Sequence, residues 1–217
     1  PFMNYIRSPQ FHSGWDWGPC IIPSGIYKSV QLLPIPKNGY DLVEISTEQI
    51  YGNNDEITLN VDVDIRNYEN VENPVTLKIK FDNDEKEIII PKNTAGQHRY
   101  SIQFETKGKE LWTTHDFGSQ TLYTLTATIT GQKLAKRIGI RKLIIDTHSD
   151  SYGTTFQFVL NNRIVNAKGA DFIPIDSIPS RMTYSRTYDL LKDMGQRNMN
   201  IIRIWGGGYY LDYILDI

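Results

Sequence analysis

The chain has 217 residues, 40% of them apolar and 12% aromatic, and a formal charge of −2. That apolar supply suffices for a packed core and argues against disorder. The near-neutral balance leaves no basic footprint for nucleic acid and no polybasic patch for a membrane surface. No apolar run approaches the roughly 20 residues needed to span a bilayer. The single cysteine, Cys20, excludes an internal disulfide framework and a multi-cysteine metal site. Residues 1–5 lack the pattern of a signal peptide, and no methionine opens the chain, as in a piece of a longer protein.

Taken in order, residues 1–36 hold aromatics, glycines and prolines and one strand-like run at 27–33. This is too little to bury a core, and it reads as the last strands of a domain that begins earlier. Between 41 and 146 the pattern becomes repeated alternation. Ile57, Leu59, Val61, Val63 and Ile65 alternate with Thr58, Asn60, Asp62 and Asp64. Val75, Leu77, Ile79 and Phe81 repeat this, and further strands are predicted at 88–90, 100–104, 122–129 and 138–145. Turn clusters at 52–55, 82–85 and 93–96 separate them. About seven short strands in this span predict an antiparallel, immunoglobulin-like sandwich without helices. The acidic stretches 41–48 and 85–87 read as solvated strand faces.

After 146 the character changes again. Residues 156–165 predict a hairpin turning at Asn161-Asn162, and 167–173 a strand. Thr183 reads as an N-cap, with Tyr188, Leu190, Leu191 and Met194 at helical spacing and Gly195 weakening the far end. Residues 200–205 predict a buried strand. Strand, helix and strand with a glycine-rich exit form the opening unit of an α/β barrel, and one such unit cannot close a barrel.

Three runs carry chemistry. Trp205-Gly206-Gly207-Gly208 follows the last strand, at the end where such barrels place their chemistry. The tryptophan offers a flat face to a sugar ring; a glycine turn beside a core tryptophan reads equally well. Arg203, two residues earlier, needs an acidic partner if it is buried. Trp15-Asp16-Trp17-Gly18-Pro19 sets a carboxylate between two aromatic rings. That arrangement suits a saccharide, and it suits a loop at a domain contact as well. The third run is Lys168-Gly169-Ala170-Asp171-Phe172-Ile173-Pro174, followed by Asp176-Ser177. His12, His98, His115 and His148 are scattered, with no helical metal-ligand spacing. No nucleophile elbow or phosphate-binding glycine loop is present.

Together these runs resemble the β-mannosidases of the β-galactosidase/β-glucuronidase superfamily, retaining glycosidases of glycoside hydrolase family 2. The resemblance covers nearly the whole chain and is strongest at its two ends. Four departures stand out from the family pattern. Asp171 replaces an asparagine and Phe172 a tryptophan. Thr113-Thr114 replace Trp-Pro after Leu111-Trp112, and the tail 209–217 is short.

The resemblance implies a mainly β chain in three parts. These are the end of a jelly-roll sugar-binding sandwich (1–36), an immunoglobulin-like sandwich (37–146) and the start of a catalytic (β/α)8 barrel (147–217). It implies that Asp16, Trp15, Trp205 and Asp171 contact substrate, and that Arg203 and Asn200 orient the nucleophile. No metal or other cofactor is implied. The two catalytic glutamates are expected on later barrel strands, since the last glutamate here is Glu110. The chain alone is therefore expected to be inactive, with its site residues dispersed or poorly ordered for want of the rest of the barrel. Implied partners are β-mannoside oligosaccharides or glycoprotein glycans and the remainder of the same polypeptide, with no nucleic acid and no membrane. A periplasmic or secreted setting is favoured over a lysosomal or cytoplasmic one. An exo-β-glucosaminidase, an endo-β-mannosidase or a non-catalytic glycan-binding or spacer module would share much of this sequence.

Overall fold

The computed structural model describes residues 8–35, 39–53 and 56–207. The opening residues 1–5, part of the turn cluster at 52–55, Gly208 and the tail 209–217 lie outside the described residues. The chain is mainly β, and its contacts divide it into two compact units. One runs from 33 to 166; the other joins 1–32 to 167–217.

The central unit is an antiparallel sandwich. One sheet has the order β3 (Tyr40–Tyr51), β4 (Ile57–Asn67), β7 (Gly96–Glu105). The facing sheet runs β6 (Asp84–Ile90), β5 (Val75–Phe81), β8 (Tyr123–Ile129), β9 (Gln132–Ile138). The period-two pattern explains why: in β4, Leu59, Val61, Val63 and Ile65 are fully buried, as are Leu77, Ile79 and Phe81 of β5. Leu125, Ala127 and Ile129 of β8 complete the same core. Seven strands, β3 to β9, form this sandwich, and no α-helix interrupts it among the described residues.

Polar side chains tie strand β3 to the facing sheet. The Gln132 amide accepts from the Leu42 N–H at 3.1 Å and donates to the Tyr40 carbonyl. Gln49 donates to the Gly139 carbonyl at 3.0 Å and accepts from the Arg141 N–H at 2.8 Å. Asp64 departs from the alternation and is buried, opposite a register shift at Leu42/Glu44 in β3. Arg99 grips it with two bonds of 2.9 and 2.7 Å. The bond from Arg99 holds the Asp64 carboxyl below its ordinary value against the opposing effect of burial.

Two sequence expectations fail here. Residues 138–145 do not form one strand: β9 ends at Ile138 and β10 (Leu143–Asp146) starts anew. The cause is Trp112, whose N–H donates to the Ile140 carbonyl at 2.7 Å and whose side chain lies where a side chain on Gly139 would project. The run 27–33 makes no strand either. Val30 and Leu33 are each 79% exposed and Leu32 is fully exposed, and a strand exists only through a neighbour's backbone.

β10 continues into a meander with β11 (Gln157–Leu160) and β12 (Arg163–Val165). The predicted hairpin turns at Asn161 and Asn162, with φ of 49° and 63°, the left-handed pair this short turn demands. By contacts the meander belongs to the central unit, through bonds such as Asn161 to the Trp112 carbonyl (2.9 Å) and Leu143 N–H to the Tyr51 hydroxyl (3.2 Å).

The second unit holds the hairpin β1 (Ser13–Trp15) and β2 (Gly18–Cys20), and a parallel pair, β13 (Gly169–Phe172) and β14 (Ile201–Ile204), joined through helix α1 (Tyr184–Gln196). Thr183 caps α1 as expected, accepting from the Arg186 N–H at 3.4 Å. Within α1 only Thr187 is fully buried; Tyr188 and Leu190 are more than two-fifths exposed. No helix among the described residues is long and apolar enough to cross a membrane.

Candidate functional site

The hairpin β1–β2 turns at Asp16-Trp17, which places Trp15 and Trp17 on either side of an exposed Asp16. A short 3₁₀ turn, Gln10–His12, precedes it and buries Phe11 and His12. Phe11 lies 4.5 Å from the His12 ring and 5.3 Å from the Trp17 ring, centroid to centroid. His12 Nδ1 meets the Ser8 hydroxyl at 3.2 Å, while its Nε2 and the Trp17 Nε1 are buried without a hydrogen-bond partner. Burial pushes the His12 imidazole below its ordinary value of 6.5, so the ring is neutral at neutral pH. Gly18 packs against Ser177, whose hydroxyl would stand 3.2 Å from any Cβ at that position. The hairpin is thereby seated on the loop that follows β13.

The parallel pair supplies the other half. Its register sets Gly169 opposite Ile201, Ala170 opposite Ile202, Asp171 opposite Arg203 and Phe172 opposite Ile204. Gly169 is obligatory, because a Cβ there would fall 1.8 Å from the Ile201 carbonyl oxygen. Asn200 accepts from the Lys168 N–H at 2.9 Å, which pins the start of the pair. The Trp205 N–H donates to the Phe172 carbonyl at 3.1 Å and continues the register one step past β14. Gly207 leaves room for the Trp205 ring: a Cβ there would lie 1.8 Å from it.

Trp205 is where the two halves meet. Its ring sits edge-to-face with Trp15 at 5.2 Å and with Trp17 at 5.5 Å. These separations lie within the range of favourable aromatic pairs. The expected dispersal is therefore corrected for the tryptophans. The tryptophans of the first and last motifs form one cluster, because Trp205 meets both Trp15 and Trp17 without further barrel strands. Trp15 remains 47% exposed, and Asp16 rides on the turn above the cluster. Trp17 was legible as a motif residue, but not as the inner member that rests on Phe11.

The expected buried strand at 200–205 is corrected: β14 is only partly buried and the Arg203 side chain is 68% exposed, yet it still pairs with an acid, Asp171, at 3.1 Å. Between β13 and α1 lies a cavity of about 570 Å³, lined by Asp171, Phe172, Arg186, Leu190, Met194 and Met199 among others. Arg186 also bonds Asp176 at 3.0 Å and the Arg181 carbonyl at 2.8 Å. Asp176 accepts from the Ile178 N–H at 2.9 Å; that bond first, and then Arg186, holds its carboxyl below the ordinary range. Sequence reading passed over this loop brace; the Asp-Ser pair at 176–177 was its signal.

Glu110, the last glutamate, lies in the central unit. The hydroxyls of Ser119 and Thr121 hold its carboxyl low, the state of an acceptor and not of a general acid at neutral pH. Among the described residues no group of three His, Cys, Asp or Glu side chains could hold a metal ion. The second unit thus offers an aromatic shelf, an exposed carboxylate and a braced guanidinium. Such a set can stack on and hydrogen-bond a polyhydroxylated ring.

Comparison with known proteins gives a consistent match. Residues 43–141 match the model of glycosyl hydrolases family 2. The chain is 28% identical over 220 residues to β-mannosidase B of Aspergillus niger, which covers 98% of this chain and 25% of the relative. It is likewise 28% identical over 215 residues to β-mannosidase B of Thermothelomyces thermophilus, covering 94% of this chain and 24% of that one. Among solved structures, the β-D-mannosidase of Dictyoglomus thermophilum superposes with a TM-score of 0.86 at 32% identity, over 96% of this chain and 26% of that one. The chain spans about a quarter of the length of these relatives.

Proposed function

We propose, from its match to the glycosyl hydrolases family 2 model over residues 43–141 and its likeness to β-mannosidases, that this chain is the part of a retaining exo-β-mannosidase that forms one wall of the sugar site. The observation that carries this reading is the contact of Trp15 and Trp17 with Trp205. It brings the hairpin from one end of the chain onto the exit of β14 at the other.

In this reading Trp205 packs on the apolar face of the terminal mannose, flanked by Trp15. Asp16 accepts hydrogen bonds from ring hydroxyls. Arg203 holds the nucleophilic carboxylate ionised and in line, as a charge-assisted donor beside an anion does, and Asn200 fixes the start of its strand. Retention needs two carboxyl groups about 5–5.5 Å apart. One gives its proton to the leaving oxygen while the other attacks the anomeric carbon. Water then displaces the sugar, and the first group takes the water's proton. Both groups belong to polypeptide outside these 217 residues, which carry no glutamate after Glu110. The substrates are β-mannoside oligosaccharides or glycoprotein glycans.

The test is Asp16→Ala in the complete polypeptide that carries this segment, assayed on an aryl β-mannoside and an aryl β-glucoside. Removing a hydroxyl partner from a desolvated site is expected to cost about 2–4 kcal/mol of transition-state binding. A fall in kcat/KM for the mannoside of less than about threefold would refute the role of Asp16. The 217-residue chain alone, assayed as a control, should show no turnover.

A further inference from the structure

Asp171 and Arg203 stand directly opposite each other in the parallel register of β13 and β14, with Nη1 and Oδ1 3.1 Å apart. The register is held on both sides of this pair. Asn200 and Lys168 fix its start, and the bond from Trp205 to the Phe172 carbonyl fixes its end. Asp171 is therefore built to face this arginine, and its carboxylate is already engaged before any sugar arrives. Resting on the reading of Arg203 given above, we propose that Asp171 is a positioning residue. It aims the Arg203 guanidinium and offsets part of its charge, and so sets the pH at which the nucleophilic carboxylate ionises.

The surroundings leave this task to Asp171. On α1 the facing charge is Arg186, which shares the cavity beside β13 and is occupied by Asp176 on the intervening loop. On the hairpin that packs against Trp205 the charged group is Asp16, exposed at the turn. At the start of β13 stands Lys168, whose backbone is bound by Asn200. Among the described residues Arg203 has one ion pair, and Asp171 makes it.

The sign follows from electrostatics. A positive charge beside a carboxylate favours its ionised form, and an anion that neutralises part of that charge weakens the effect. Replacing Asp171 with a neutral isostere leaves Arg203 more strongly positive. The nucleophile then ionises at lower pH, and the acid limb of the rate profile moves down. A sugar ligand would act differently: its loss would raise KM and leave the profile in place.

The experiment uses the complete polypeptide with the substitutions Asp171→Asn and Asp171→Glu. The pH dependence of kcat/KM and the separate kcat and KM are measured on an aryl β-mannoside. We expect the asparagine variant to shift the acid limb about one pH unit downward, with KM changed less than about twofold and kcat lowered several-fold. The glutamate variant keeps the charge and should keep the wild-type limb. An unmoved limb with KM raised about tenfold would make Asp171 a sugar ligand and overturn the proposal. Equal shifts in both variants would overturn it too, since charge would not be the cause. So would an asparagine variant that circular dichroism shows unfolded, because Asp171 would then be a structural tie. A folded wild type without β-mannosidase activity would instead refute the functional reading, and this proposal with it.

Discussion

The two units of this chain use apolar residues in opposite ways. The sandwich hides them: its seven strands, with Ile140 just beyond the last, bring eighteen buried residues into one contiguous cluster. The second unit displays them. Ile26 is 83% exposed and Leu32 fully so, and the apolar stripe of α1 is half covered at best. The buried core and the tryptophan cluster are thus lodged in different segments. The central unit also exposes apolar side chains, Ile89 and Phe156 among them, but it assembles a contiguous buried core as well.

That contrast can be broken most directly by truncation. Leu59→Ala, in the centre of β4, should cost about 3 kcal/mol, the typical penalty for a core leucine. Leu190→Ala on α1 should cost less than about 1 kcal/mol, because that side chain is 41% exposed. Urea unfolding of the two variants checks both values, and equal costs would dissolve the distinction between the units.

A local break tests whether the aromatic cluster depends on the parallel pair. Gly169→Ala forces a Cβ into the Ile201 carbonyl, so β13 must part from β14. It should cost about 2 kcal/mol, as overpacking does. It should also remove the Trp15–Trp205 contact, read as a red shift of tryptophan emission. The midpoint of the sandwich transition should hardly move.

The smallest expected effect lies in the sandwich and depends on pH. Asp64→Asn should destabilise by about 1 kcal/mol at pH 7, a modest figure because its partner Arg99 is 57% exposed. Asp64 is held below its ordinary value of 3.8, so its contribution is complete above that pH. The contribution is lost as pH falls through the lowered folded value. Melting curves of wild type and variant should therefore converge in acid, and a gap that persists there would show that charge is not what Asp64 supplies.

The sandwich was largely legible in the sequence because burial follows the period along its central strands, with Asp64 the exception in β4. Every apolar position read in β4 is buried, and so are Leu125, Ala127 and Ile129 of β8, although Leu122, read into the same run, is exposed. What escaped was set by neighbours. Strand β9 lies at a sheet edge, where Lys133, Lys136 and Arg137 face solvent and blunt the pattern. The false strand at 27–33 has strand-forming residues and no described strand to pair with. The break at Gly139 belongs to Trp112, far back in the chain. At the candidate site, each motif was legible one at a time. The ring contacts between opposite ends of the chain were not, and neither was the register that sets Asp171 against Arg203. Composition and period carry no information about which residues of two separate strands stand opposite each other.

Three of the four tryptophans, Trp15, Trp17 and Trp205, stand in one edge-to-face group, and the fourth, Trp112, lies under the Arg141 guanidinium in the sandwich. The molecule thus carries two spectroscopic channels. Indoles this close share their excited states, so the group should give coupled bands in near-ultraviolet circular dichroism, whereas a solitary indole gives a single uncoupled band. Tryptophan absorption by the chain reports mainly on the segments that hold this group. With Trp112 replaced by phenylalanine it would report on them alone, which turns the uneven placement of a few indoles into a built-in gauge for anything that settles on that shelf.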